Sequence, residues 1–288
     1  MARLESNFFP ACFFYLLLSA FIYPSILKAG KIFADDFESG ELAGKWNQVN
    51  IRTPAHGGYE TNPEHVFSGR RSLRLTAVAN DGQSSVAQVQ CWFMPGYDRL
   101  YYRWYAKFAP EFDEGNHMHW TMIGGSRTDD KYSGFGKAGI MPNGTDFFTT
   151  MLDPWRNWKK YPPPGALCFA SSWPEMKPGR DSVHYSNHLL PEVPFVPERG
   201  RWYCYEVMVG LNDPGQKNGE QAFWIDGKKL LHVKNLRWRD SDVLRLNFFW
   251  FAVYIHQAQQ DNTCWYDDLV ISTVYLGPKA EAENSGGN

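Results

Sequence analysis

Charge excess is missing from this sequence: 29 basic residues stand against 31 acidic ones over 288 positions, a net −2 with histidine neutral. No run of lysine and arginine occurs, which excludes the polyanion-wrapping surface of a nucleic-acid binder. Cysteine is scarce, with five in all and no C-x-x-C spacing, so a zinc–cysteine site is excluded as well. Convincing helical periodicity is absent past residue 30. No strand-like segment carries the E-x-D-x-x-E arrangement that places two carboxylates about a glycosidic bond, so glycoside hydrolysis ranks low. Beyond residue 30 no apolar run is long enough to cross a bilayer.

The single long apolar run lies at the start. It extends from Phe8 to Leu27, is broken by Pro10 and Pro24, follows Arg3 and ends before Ala29 and Gly30. This is the layout of a cleaved export signal over residues 1–29; an uncleaved anchor is the competing reading. The expectation is a secreted or periplasmic protein, free of the membrane after cleavage and monomeric. Its one domain spans 30–278, and the polar tail 279–288 is disordered. Setting aside Arg3, Lys28 and Glu5 leaves 27 basic and 30 acidic residues, a net −3. Cys12 departs with the leader, so Cys91, Cys168, Cys204 and Cys264 remain. In an oxidising compartment these allow three pairings, but Cys91 and Cys204 sit in apolar alternating runs that suit free buried thiols equally.

Aromatic residues are abundant, at 16% with 12 tryptophans. They fall in short period-two runs: 72–78, 85–93, 100–108, 201–211, 220–227, 243–257 and 263–272. Asp226-Gly227 between two such runs is a two-residue hairpin signal. Many strands separated by Gly, Pro, Asn and Asp, without intervening helices, predict an all-β, two-sheet antiparallel sandwich. Residues 125–200 read as a loop-rich region whose long loops wall a cleft.

Alternation assigns faces. In LYYRWYAKF, Leu100, Tyr102, Trp104, Ala106 and Phe108 oppose Tyr101, Arg103, Tyr105 and Lys107. In SVAQVQCWF, Ala87, Val89 and Cys91 oppose Gln88 and Gln90, and in LNFFWFAVYIHQ, Phe249, Phe251, Val253 and Ile255 oppose Trp250, Ala252, Tyr254 and His256. In GNHMHWTMIGG, period two puts His117 and His119 on one side. One face of each strand is greasy; the other carries amides, phenols, imidazoles and a guanidinium. Such a face reads as the floor of a glycan groove, the alternative being a second buried layer whose polar tips are satisfied under loops.

The stretches LYYRWYAKFAPEFDEGNHMHWTMIGG, GKAGIMPNGTDFF, SSWPEM, RGRWYCYEVMVGLNDPGQKNGEQAFWIDGK and WYDDLVISTVYLGP resemble the polysaccharide lyase family 14 group, including alginate and glucuronan lyases. The resemblance spans about Phe33 to Pro278. It implies a concanavalin-like jelly-roll sandwich with long cleft-forming loops, and a lyase that cleaves an acidic, uronate-containing polysaccharide by β-elimination. Where alginate lyases of this group carry a lysine linked to catalysis, this chain carries the His117–His119 stretch. Such a reaction neutralises the C6 carboxylate, removes the C5 proton and protonates the departing C4 oxygen. The expected assignments are His119 as base or neutraliser, assisted by His117, Tyr254 as acid or combined acid and base, and Arg103 with Gln90 on the carboxylate. Lys137, in GFGKAGI on a neighbouring candidate strand, stands in for the lysine. Tyr101, Tyr105, Trp250, His256, Tyr185 and Asn187 are expected to bind sugar. A transition metal on His117 and His119, with His256 or His184, ranks below proton transfer. Asp36, Glu38 and Asp268 resemble the terminal-strand clamp for a structural Ca²⁺ in jelly rolls, with caps and turn contacts as the equal alternative. A non-catalytic, lectin-like groove is the competing function.

Overall fold

The computed structural model describes residues 30–179 and 182–279; the expected export signal and most of the expected tail lie outside them. Within the described residues there is no α-helix, and one 3₁₀ turn spans Pro63–His65. The strands in chain order are β1 (Lys31–Asp35), β2 (Gln48–Asn50), β3 (Gly57–Glu60), β4 (Ser72–Ala77) and β5 (Ser85–Tyr97). Next come β6 (Arg99–Phe108), β7 (Met118–Arg127), β8 (Phe147–Trp155), β9 (Ala166–Ser172) and β10 (Asn187–Leu189). The last are β11 (Tyr203–Gly210), β12 (Gly219–Ile225), β13 (Lys228–Leu236), β14 (Leu244–Ile255) and β15 (Asn262–Ser272).

They form two antiparallel sheets packed face to face, as the alternating pattern predicts. The back sheet runs β13-β12-β11-β6-β15-β4-β3, with β1 also paired to β15; the front sheet runs β10-β9-β8-β7-β14-β5-β2. All seven period-two runs become strands, and Asp226 and Gly227, both with positive φ, form the turn between β12 and β13. One expectation needs correction. The region 125–200 is not mainly loop: β8, β9 and β10 lie within it and extend the front sheet. Loops 128–146 and 156–165 and the segments 173–179 and 182–186 remain, and they rise over that sheet's outer face.

The apolar faces meet between the sheets. Trp104, Trp120, Tyr205, Tyr266, Phe249 and Phe251 are fully buried there, each aromatic ring contributing roughly 1.5–3 kcal/mol by leaving water. Buried polar tips are used to tie the sheets. Tyr266 Oη donates to Ala252 O at 2.9 Å, and Thr150 Oγ1 donates to Gln221 Oε1 at 2.8 Å. Cys91, Cys168, Cys204 and Cys264 are all free and buried, which settles the thiol question among the described residues in favour of unpaired cysteines. Desolvation raises the thiol of Cys264 to about 12 and keeps it uncharged beside Trp120 Nε1, which donates to it at 3.4 Å.

The outer face of the back sheet is covered. Glu206 accepts Leu276 N at 2.8 Å and Gly277 N at 2.7 Å, and Tyr105 Oη accepts Lys279 N at 2.7 Å. The segment after β15 therefore lies across β6 and β11. Lys107 is buried beneath the rings of Trp202 and Trp265 and donates to Glu64 O at 2.5 Å. On this sheet the second-layer reading of the polar face is the right one.

Candidate active site

A groove of about 1050 Å³ opens on the front sheet. Its floor comes from β7, β8 and β14: His119, Met122, Thr149, Met151, Phe248 and Trp250. Its walls are Phe135 to Gly139, Trp158 with Lys159, and His184 to Ser186. At one end stand His117, His188 and His256.

Local register decides which β7 residues face the groove. Strict alternation would group His119 with Thr121 and Ile123. A register shift against β14, between Phe251 and Tyr254, changes this. Ile123 and Trp120 go to the core while His119 and Met122 face out. The same shift sets Tyr254 directly opposite His119, their ring centroids 5.5 Å apart. His256, just beyond β14, brings Nε2 to 3.3 Å from Nε2 of His119. His117 lies 4.9 Å from His119 and 5.5 Å from His188, ring centre to ring centre. His188 stacks on Trp155 at 4.2 Å.

Beneath the histidines is Asp153 of β8, with no exposed surface. Its Oδ1 accepts Trp120 N at 2.8 Å, and its Oδ2 lies 3.3 Å from His119 Nδ1 and 3.8 Å from His117 Nε2. A carboxylate only accepts, so this contact places the His119 proton on Nδ1 and leaves the Nε2 lone pair toward the groove. Burial, reinforced by His119, His188 and His256, pushes the His117 pKa down to about 2. Burial also lowers His188 and, together with His119, lowers His256. The end of the groove is thus lined with neutral imidazole rather than positive charge. Nearby Glu114 lines the groove with both carboxylate oxygens buried and unpartnered, and desolvation raises it to about 8.

Of the residues singled out in the sequence, His117, His119, Trp250, His256, Lys137 and Tyr185 line the groove, and Tyr254 stands beside His119. Lys137 belongs to the turn-rich loop after β7, not to a strand. Gln90 faces the same side, across from Trp250, and its amide donates to Gln48 of β2. Asn187 is used locally, accepting Lys177 N at 2.7 Å and donating to Lys177 O at 2.8 Å. Arg103, Tyr101 and Tyr105 are not in the groove. They occupy β6 on the back sheet, where Arg103 pairs across from Glu206 and lies 5.5 Å from the Tyr105 ring. Tyr101 packs near Trp224 and Tyr275 there. Alternation identifies a strand's outer face, but a sandwich has two outer faces, and β6 belongs to the other one.

The three acids of the expected calcium clamp are engaged by protein donors. Asp36 Oδ1 accepts Glu38 N at 3.3 Å, and Glu38 Oε1 accepts Arg70 N at 2.7 Å and Arg71 N at 2.8 Å. Asp268 accepts Ser68 Oγ at 2.7 Å and pairs with the Lys279 ammonium. These are turn, cap and ion-pair contacts, the alternative role weighed for the three acids. Among the described residues, the His, Cys, Asp and Glu side chains that converge as three ligands are His117, His119 and His256. Sequence reasoning missed Asp153 and Glu114, and reached His188 only as part of the HYSNH stretch, 184–188, read as a loop over ligand. An aspartate inside the apolar run FFTTMLDPW was the available signal for Asp153, since a lone carboxylate in a buried strand needs partners.

The architecture is that of a jelly-roll sandwich with a cleft on one sheet, and the comparisons agree with it. A family model described as Polysaccharide lyase 14 matches residues 187–262, in keeping with the resemblance read from the sequence. No curated protein matches the chain. Among solved structures, a mutant of alginate lyase Aly36B in complex with alginate tetrasaccharide is similar at a TM-score of 0.60 and 14% identity, over 87% of this chain and 98% of that one. An endo-β-1,4-glucuronan lyase from the fungus Trichoderma reesei gives 0.58 and 16%, over 86% and 98%. A marine PL-14 alginate lyase from Aplysia kurodai gives 0.64 and 13%, over 87% and 100%. At these identities the likeness shows the fold.

Proposed function

We propose that this chain is an exported polysaccharide lyase that cleaves a uronate-containing glycan by β-elimination in the front-sheet groove. One observation carries the reading: His119, Tyr254 and three further histidines stand together at the end of a glycan-sized cleft, with a buried carboxylate holding His119 from behind. The family-model match and the lyase neighbours support the same class.

The imidazole end receives the C6 carboxylate, and hydrogen bonds donated by neutral ring N–H groups draw charge from it so that the C5 proton becomes more acidic. His119 Nε2 takes that proton, with Asp153 fixing the tautomer. The C5–H electron pair becomes the C4=C5 double bond and the C4–O4 bond breaks. The Tyr254 phenol gives its proton to the departing O4. Trp250 and the wall aromatics present flat apolar faces to the sugar rings. The test is ultraviolet absorbance of the unsaturated uronate product on alginate, glucuronan and related polymers. A steady rise on one polymer supports the lyase. Saturable binding with no rise on any of them overturns it in favour of a lectin-like groove.

A further inference from the structure

Among the described residues that line the groove there is no arginine, Arg103 being on the back sheet, and the two lysines, Lys137 and Lys159, belong to the walls. Among these lining residues the histidine end itself carries imidazole and neither lysine nor arginine. We propose that His117, His119 and His256 form a binding site for a divalent transition-metal ion of the zinc type, and that this ion is the carboxylate's counter-charge.

One ring nitrogen from each of the three lies within 4.8 Å of the others, so the widest pair must close by up to about 1.5 Å to reach the edge of a zinc tetrahedron. The Nε2 atoms of His119 and His256 face each other at 3.3 Å, long for a hydrogen bond between imidazoles. It matches the edge of a tetrahedron whose corners are about 2.0–2.1 Å from a central zinc, which is about 3.3–3.4 Å. Behind His119, the Asp153 carboxylate faces Nδ1 at 3.3 Å, the arrangement that orients a metal-binding imidazole and leaves Nε2 for the ion. Three protein ligands leave one corner open to the groove, where a carboxylate oxygen can enter. Three nitrogens without thiolate or hard oxygen suit zinc, nickel or copper rather than calcium or magnesium. With the ion in place His119 would be a ligand, and the C5 proton would go instead to Tyr254 as its phenolate; the phenol so formed would give that proton to O4 as the C4–O4 bond breaks.

The consequence for catalysis rests on the lyase reading; the binding does not. The test titrates chelator-treated full chain with Zn²⁺ by calorimetry and with Co²⁺ by visible absorption. The expected result is one ion per chain and tetrahedral cobalt bands. In His256→Ala and His119→Ala the affinity should fall more than about a hundredfold, and in Asp153→Asn by about 10–100-fold. His56→Ala, outside the cluster, should bind as the parent does. His256→Ala is on an exposed residue, so its fold is checked independently by its melting curve. Absence of stoichiometric binding, or binding that survives both histidine substitutions, overturns the proposal. Zinc binding without unsaturated product on any polymer defeats the lyase reading and leaves the metal site standing. Turnover unchanged after chelation, with no binding, does the reverse.

Discussion

Replacing Asp153 by asparagine isolates what the buried carboxylate does for His119. The two side chains are nearly the same size, and the asparagine carbonyl can still accept the Trp120 N–H that Asp153 Oδ1 holds at 2.8 Å. The amide end, however, presents donors to His119 Nδ1, which now faces an oxygen at 3.3 Å. Nδ1 must become the acceptor, the proton moves to Nε2, and the lone pair aimed at the groove is lost. The hydrogen bond to His119 is kept with its direction reversed, while loss of the correct tautomer removes a proton-transfer contribution of about 10²–10⁴. A fall in kcat of about 10²–10⁴ on the active polymer is expected, with the melting temperature almost unchanged. Asp153→Ala differs because it orphans the buried Trp120 N–H, which costs about 1–3 kcal/mol and lowers the melting temperature by about 3–10 °C. Full turnover in a folded Asp153→Asn protein would refute the assignment of His119 and its orienting partner.

Tyr254→Phe should lower kcat by at least about 10² with little change in KM, because the ring stays and only the proton is lost. Arg103→Met should keep turnover within about twofold, since Arg103 lies on the back sheet across from Glu206; a large loss of activity would contradict the placement of the groove. Glu114 carries a pH signature. Burial raises it from 4.5 to about 8, with Arg156 and Arg199 opposing weakly, so the neutral acid is favoured in the folded state. Its stabilising contribution is full below pH 4.5 and is lost as pH rises through about 8, a change of roughly 4–5 kcal/mol. Glu114→Gln should therefore melt above the parent at pH 9 and converge with it near pH 4. Equal melting temperatures at both pH values would mean that Glu114 does not bear this burden.

Most of the fold was legible because period-two burial leaves a strong imprint. Every segment with one greasy face became a strand, and Asp226-Gly227 marked its hairpin. Among the strands that were missed, β8 and β9 are buried on both faces and so lack alternation, while β2, β3 and β10 have only three or four residues each. Of the candidate site, the histidine pair and Tyr254 came from side-chain direction alone.

The sequence by itself determined the class of fold, the inward and outward faces of β5, β6 and β14, and the joint orientation of His117 and His119. Those properties are local, set by alternation along one strand. Only the tertiary structure decided that Arg103 lies on the opposite sheet, that the register shift turns Tyr254 toward His119, and that Asp153, 34 residues beyond, stands behind it. Sheet membership and cross-strand register are long-range matters, settled by which strands hydrogen-bond side by side. No pattern within a single strand records them.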